Sequence, residues 1–158
     1  MYESYVRKGL DWKTVLGKRK IRYDEIYYSY PMSSIKLRLR GVADAVYRVG
    51  GRYRILEVKY SSYIGKIPLD HLMQVTSYAV MLEESGKYVD RMDFYYIGND
   101  KYVWRTYTYS VKALWRKYYN RMVMLINGEY QPRVTREKSK CKSCFYFRDI
   151  CLGYLENE

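Results

Sequence analysis

Two consecutive glycines, Gly50 and Gly51, separate two stretches in which β-branched and aromatic residues alternate with polar ones. A glycine pair in this setting is typical of a β-hairpin, because both residues of its tight turn need backbone angles that side chains disfavour. A two-residue turn also sets the register of the two strands. Counting back from it along both strands places Asp44 opposite Glu57. The sequence therefore predicts a hairpin with two carboxylates on one rung.

These two carboxylates have apolar neighbours along both strands. Opposed acidic side chains lie about 5 Å apart and repel each other unless something compensates. The flanking positions expected to be buried are Val42, Ala43, Val46, Ile55, Leu56 and Val58. In that setting the pair must share a proton or bind a cation. The alternative is that Asp44 ends a strand while Glu57 and Lys59 form an ordinary salt bridge.

Lys59 lies two residues after Glu57 in the same strand, so both side chains point to one face. Carboxylates are ligands that Mg²⁺ and Mn²⁺ prefer, with waters and phosphate oxygens in the remaining positions. Water on such an ion could attack a phosphodiester, and Lys59 could orient that water or stabilise the developing negative charge. Asp44, Glu57 and Lys59 are therefore candidate catalytic residues, and Asp44 and Glu57 are candidate metal ligands.

The rest of the chain predicts a mixed α/β domain with helices packed around a small sheet. Strand patterns cover about residues 23–30, 35–49 and 52–60, then about 91–98 and 101–109. Helical patterns cover residues 1 to about 20, a segment opened by Pro68 that ends near Gly86, and a segment capped by Ser110 that ends at Gly128. We expect residues 1–130 to form the core with its N-terminal helix, and residues 131–158 to form a C-terminal module packed on it.

The chain is strongly basic, with 29 Lys and Arg against 17 Asp and Glu and a net charge of +12. Such an excess favours polyanionic partners, although it could simply maintain solubility. On the last predicted helix we expect one polar face to bind nucleic acid through Lys112, Arg116, Lys117 and Arg121. No apolar run approaches the ~20 residues of a spanning helix, and no secretory signal is evident, so we expect a soluble, cytoplasmic protein.

Three motifs follow one another along the chain: Gly41-Val42-Ala43-Asp44, Ile55-Leu56-Glu57-Val58-Lys59 and Gln74-Val75-Thr76-Ser77-Tyr78. This series resembles the G-x-x-D, (D/E)-x-K and Q-x-x-x-Y motifs of RecB-type nucleases of the PD-(D/E)xK kind. The resemblance implies a restriction-endonuclease-like core in which Gln74 and Tyr78 join the catalytic residues. It also implies that the main-chain carbonyl of Val58 is a metal ligand. Without the hairpin, Gln74 and Tyr78 would be interpreted as a surface polar residue beside a core tyrosine.

Three cysteines, Cys141, Cys144 and Cys151, have the spacing C-x2-C-x6-C. Thiols this close can hold zinc or the iron of a cluster, although three unrelated buried cysteines are an alternative. After the RecB-like motifs, the triplet resembles that of the CRISPR-associated nuclease family called Cas-four. That resemblance implies an iron–sulfur cluster (4Fe-4S or 2Fe-2S) and metal-dependent exonuclease action on single-stranded DNA, commonly from the 5′ end. It further implies a role in CRISPR spacer acquisition, with the integrase as partner.

The chain departs from that family in two respects. No cysteine precedes Cys141, so the fourth cluster ligand is missing and zinc is an alternative occupant. The family's N-terminal metal-binding histidine is also missing, and the only histidine, His71, lies one turn before Gln74. His71 could reach the metal or simply be exposed at a helix start. Two alternatives to the exonuclease therefore stay open: a catalytically weakened nucleic-acid-binding relative, and a structure-specific DNA endonuclease, which the cysteines disfavour.

Overall fold

A computed structural model gives the structure of the chain, and it describes residue 17 and residues 21–130. Of the predicted N-terminal helix only Gly17 is described, and it is helical. The predicted C-terminal module, with its three cysteines, lies outside the described residues, so its extent stays a prediction. The chain divides into two compact units, Met1–Arg116 and Lys117–Glu158.

The described residues form a mixed five-stranded sheet flanked by two helices. The elements in chain order are β1 (Glu25–Ser34), β2 (Leu39–Val49), β3 (Arg52–Lys59), α1 (Leu69–Glu84), β4 (Val89–Tyr96), a 3₁₀ turn (Ile97–Asn99), β5 (Lys101–Thr106) and α2 (Tyr109–Ile126). The strands lie side by side in chain order. Neighbours are antiparallel except β3 and β4, which are parallel. Because parallel neighbours need a crossover, α1 connects β3 to β4, as the predicted α/β class requires.

The β2–β3 hairpin has the predicted turn and register. Gly50 and Gly51 both have positive φ, 56° and 79°, which is the turn that matches the twist of paired strands. Pairing runs from Val49 opposite Arg52 down to Ala45 opposite Leu56. Asp44 and Glu57 are the next residues beyond this last pair.

In the β1–β2 ladder, by contrast, residues two apart on β2 do not all point to the same face of the sheet. Ala45 packs in an apolar cluster on the face away from α1, whereas Ala43 packs in the main core beneath α1. Ser29, between the β1 partners of these two alanines, has a positive φ of 47°. This bend interrupts the two-residue alternation of a regular strand. Val42 is consequently 55% exposed, and the prediction that it is buried is wrong.

Helix α1 provides the second wall of the site. It begins after Pro68, and Gly86, with a φ of 79°, follows its end as predicted. Its apolar face packs on the sheet through Leu72, Val75, Tyr78, Ala79 and Leu82. Because that packing fixes the rotation of the helix, the side chain of Gln74 is directed at the end of β3.

The boundaries of the last two elements differ from the prediction. Strand β5 ends at Thr106 rather than near residue 109, and α2 begins at Tyr109. The hydroxyl of Thr108, not that of Ser110, accepts a hydrogen bond from the Val111 N–H at 3.4 Å, so Thr108 is the N-cap. Ser110 instead shares a hydrogen bond with the Thr108 hydroxyl. Among the described residues, neither helix combines the length and the apolar content needed to cross a bilayer.

Candidate active site

The Asp44 carboxylate lies at the end of the β2–β3 ladder. Its Oδ2 accepts a hydrogen bond of 2.8 Å from the Val58 N–H, in the place of a main-chain acceptor. Glu57 is 5% exposed at the neighbouring rung. Asp44 therefore does end the ladder, as the alternative interpretation held, and it also lies close enough to Glu57 for the two charges to interact.

Both carboxyl groups are harder to ionise than usual. Burial, together with the charge of Asp44, raises the pKa of Glu57 to about 7. Burial also raises the pKa of Asp44, against the opposing effects of its hydrogen bond from Val58 and the charge of Lys59. Two acids that resist ionisation side by side favour a shared proton or a bound cation.

Two side chains, those of Lys59 and Gln74, contact a single oxygen of Glu57, and Tyr78 contacts Gln74. The Lys59 Nζ lies 3.1 Å from Glu57 Oε1 and donates to Gln74 Oε1 at 2.5 Å. The Gln74 Nε2 donates to the same Glu57 oxygen at 2.7 Å and contacts the Tyr78 hydroxyl at 3.1 Å. The structure therefore brings together all five predicted catalytic residues: Asp44, Glu57, Lys59, Gln74 and Tyr78.

The other oxygen of Glu57, Oε2, is buried and has no hydrogen-bond partner among the described residues. A carboxylate oxygen left this way is costly, because it has lost water and gained nothing in return. The local charges also do not balance, since Asp44 and Glu57 share one ammonium group, that of Lys59. A hard divalent cation with oxygen ligands fits this deficit. Its remaining positions would be filled by main-chain oxygen, water or substrate phosphate.

Gly41 explains how Tyr78 comes so close to β2. A Cβ atom at Gly41 would lie 2.6 Å from Cε1 of the Tyr78 ring, much closer than atoms of this kind can pack. The absence of a side chain therefore lets the ring lie against the strand and present its hydroxyl to Gln74. The motif contains both residues, but it does not show that they contact each other.

His71 lies beside Tyr96 rather than with Asp44 and Glu57. Its Nδ1 is 3.2 Å from the Tyr96 hydroxyl, and its Nε2 is 3.8 Å from Asp70. Burial and the charge of Lys59 lower the pKa of His71, which favours the neutral ring. Within residues 21–130, no group of three or more His, Cys, Asp and Glu side chains is arranged to hold a metal. Metal ligation by His71 and by the Val58 carbonyl stays a prediction.

The basic residues of α2 have different surroundings. In the first unit, Lys112 forms an ion pair with Glu83 at 2.5 Å, and Arg116 is exposed. In the second unit, Lys117 and Arg121 are exposed, and the Arg121 guanidinium lies 4.5 Å from the centre of the Tyr130 ring. Nucleic-acid binding by these four residues stays a prediction, as does metal binding by Cys141, Cys144 and Cys151 outside the described residues.

The loop between Lys59 and α1 is held by a residue that the motifs do not include. Asn99 accepts a hydrogen bond from the Tyr63 N–H at 3.0 Å and donates one to the Tyr63 carbonyl, also at 3.0 Å. This pair of bonds fixes the loop that leaves the active-site strand. The sequence shows only a turn at Gly98-Asn99-Asp100, which gives no indication of such a distant contact.

Comparison with known proteins identifies the family. The family model of the PD-(D/E)XK nuclease superfamily matches residues 1–151. The chain belongs to this superfamily. PD-(D/E)XK nucleases cleave nucleic acids with the help of divalent metal ions, which agrees with the centre formed by Asp44, Glu57 and Lys59. The motifs thus identify the superfamily correctly, while membership of the Cas-four family stays a proposal.

Other comparisons bear only on the fold of this PD-(D/E)XK chain. No curated protein matches it. The solved structure described as the crystal structure of SSO0001 is similar with a TM-score of 0.52 and 19% sequence identity. The match covers 84% of this chain and 65% of that one, so the chain spans less than two thirds of that protein's length. At this identity the similarity supports the shared fold and nothing about substrate.

Proposed function

We propose that this chain is a divalent-metal-dependent deoxyribonuclease that acts as an exonuclease on single-stranded DNA. The observation that carries the proposal is the buried, unpartnered Oε2 of Glu57 beside the Asp44 carboxylate. Membership of the PD-(D/E)XK superfamily supports phosphodiester cleavage as the reaction. The basic charge of the chain supports a polyanionic substrate.

In this proposal each side chain of the site has a separate role in metal binding or catalysis. Asp44 and Glu57, with the main-chain carbonyl of Val58, hold Mg²⁺ or Mn²⁺. Such an ion, when bound, supplies a more acidic water and neutralises charge on the phosphate. Lys59 is held by Glu57 and Gln74, so its ammonium group is positioned to orient the attacking water or stabilise the charge that develops. Tyr78 fixes Gln74 from the other side.

The finer features of the proposal rest on the resemblance of the cysteine triplet to that of the Cas-four family. They are cleavage from the 5′ end, a role in CRISPR spacer acquisition with an integrase as partner, and a cluster held by Cys141, Cys144 and Cys151. One observation favours the weakened relative as a second candidate: no third acidic or histidine ligand joins Asp44 and Glu57 among the described residues.

A cleavage assay on end-labelled linear and circular single-stranded DNA, with Mg²⁺ or Mn²⁺, tests the activity. We expect mononucleotides or short products from the linear substrate, none from the circle, and no cleavage by Asp44→Ala or Lys59→Ala. Glu84→Ala and Lys87→Ala remove the same types of charge outside the site, and they should cleave normally. Undiminished cleavage by both active-site variants would exclude the assigned centre. Cleavage of the circle would exclude a strict exonuclease, and DNA binding without cleavage would favour the weakened relative.

Metal analysis of protein purified without oxygen tests the cysteine module. We expect iron with the visible absorption of an iron–sulfur cluster, reduced when Cys144 is changed to Ala. A colourless sample that contains zinc would show that the cysteines bind zinc instead of a cluster. A sample with neither iron nor zinc would contradict metal binding by the cysteines.

A further inference from the structure

The β1–β2 hairpin extends past the last pair between β2 and β3. Pairing between β2 and β3 stops at Ala45, but pairing between β1 and β2 continues to Ser34 opposite Leu39. Residues 30–43 therefore form a two-stranded arm, which we call the basic arm. It begins directly beside Asp44, and Met32 and Ala43 on one of its faces pack in the main core beneath α1.

The basic arm carries positive charge and no negative charge. The sequence has no Asp or Glu between Glu25 and Asp44. Lys36, Arg38 and Arg40, spaced two residues apart at the tip and along β2, are all exposed. Within the described part of the chain, the side chains of these three residues form no ion pair or hydrogen bond. Lys112 on α2, by contrast, already has Glu83 as its partner.

The tip of the arm is an ordered turn with an unusual residue in it. The Ser34 hydroxyl accepts a hydrogen bond from the Leu37 N–H at 3.0 Å, and the Ile35 carbonyl accepts one from the Arg38 N–H at 3.2 Å. Arg38 has a positive φ of 51°, a conformation normally taken by Gly or Asn. A long cationic side chain at a position that favours glycine points to a functional reason for the arginine.

From these observations we infer that the basic arm binds the phosphates of the nucleic-acid strand that is cleaved at Asp44 and Glu57. The inference rests on the proposed function and adds a substrate contact to it. Arg40 and Arg38 lie four and six residues from Asp44, roughly 13 and 20 Å along an extended strand. Phosphates of one strand rise about 3.4 Å apart along a duplex, and those of an extended single strand are spaced no more closely. The arm is thus placed to contact phosphates several nucleotides away from the cleaved bond, without reading bases.

Binding is measured by fluorescence anisotropy with a labelled single-stranded oligonucleotide, using the full chain in EDTA so that no cleavage occurs. The variant Lys36→Ala/Arg38→Ala/Arg40→Ala should bind at least about tenfold more weakly at low salt. The slope of log affinity against log salt should fall by about 2, because each phosphate contact on a single strand contributes about 0.7. The control Arg22→Ala/Arg52→Ala/Arg105→Ala removes the same charge from exposed sites at the other end of the sheet, and its slope should be unchanged.

Arg38→Gly separates binding from folding. Glycine accepts the positive φ without strain, so this variant should melt no lower than the wild type while it binds the oligonucleotide more weakly. Wild-type affinity and salt slope in both arm variants would overturn the inference. A control triple variant that weakens binding as much as the arm variant would also overturn it, because only net charge would then matter.

The binding and cleavage assays fail independently. Arm-dependent binding by a wild-type chain that never cleaves with Mn²⁺ would exclude the proposed activity and retain the arm. Cleavage by the wild type with no effect of the arm substitutions on affinity would exclude the arm and retain the activity.

Discussion

The two faces of the sheet each bury a carboxylate, but they compensate it differently. On the face away from α1, Asp93 is 0% exposed. The Arg91 Nε lies 2.9 Å from its Oδ1 in an ion pair without a hydrogen bond, and the Tyr47 hydroxyl donates to its Oδ2. On the α1 face, Glu57 is 5% exposed and has contacts to one oxygen only.

The difference lies in the local sum of charges rather than in burial. Asp93 has a guanidinium two residues away, and the two charges cancel within the protein. Glu57 also has a cation two residues away, but it shares Lys59 with Asp44, which leaves one negative charge in excess when both acids are ionised. A buried acid with its own counter-ion is a structural element. One that must share its counter-ion with a second acid is a site for something that the chain does not supply.

The largest expected effect concerns the compensated face. Asp93→Ala leaves Arg91 without its buried partner and should destabilise the fold by about 3–5 kcal/mol, as seen when one member of a buried pair is removed. Urea denaturation monitored by circular dichroism measures this. Asp90→Ala, which removes an ion pair with Arg54 nearer the surface, should cost about 1 kcal/mol or less. Equal losses in the two variants would show that Asp93 is not specially compensated.

The second effect concerns metal binding at the uncompensated face. A divalent ion competes with the proton on Glu57, whose pKa is raised to about 7. The apparent affinity for Mn²⁺ should therefore rise with pH and level off once Glu57 is ionised, with a difference of roughly tenfold between about pH 6 and about pH 8. Calorimetric titration at constant ionic strength tests this. A flat profile over that interval would contradict the assignment of Glu57 as a ligand.

The smallest expected effect has the opposite sign to that of Asp93→Ala. Because the folded pKa of Glu57 lies above its unfolded value, this group stabilises the metal-free fold at low pH, and that contribution is lost as pH rises through about 7. Near about pH 8, Glu57→Gln should therefore stabilise the metal-free chain by about 1 kcal/mol, or about 2–4 °C in melting temperature. Added Mn²⁺ should then raise the melting temperature of the wild type only. A less stable metal-free variant would contradict the charge excess proposed here.

The sequence was sufficient for features set by local chemistry. The glycine pair predicts the turn, the turn predicts the register, and the register ends beside Asp44 and Glu57, whose charges interact. Pro68 and Gly86 mark the ends of α1 because one fixes φ and the other accepts a positive φ. Those elements required no knowledge of distant contacts.

Features that depend on distant contacts were not predictable in the same way. The bend at Ser29 occurs without a glycine, so the sequence gives no indication of it. The prediction that Val42 is buried was therefore wrong. Tyr47 and Asp93 are 46 residues apart, and nothing near either residue indicates that they meet. In each case the strands must first be assembled before the contact exists.

The hydrogen bond from the Val58 N–H to Asp44 makes the position of this candidate metal ligand depend on the length of the hairpin. A side chain that completes a backbone ladder can do so only from one rung, and the turn at Gly50 and Gly51 decides which rung that is. Many substitutions in that turn could be tolerated if the backbone keeps its path. One inserted or deleted residue would shift every later position of β3 to the opposite side of the sheet. The number of residues between Asp44 and Val58 should therefore be under stronger selection than the identity of the residues in the turn.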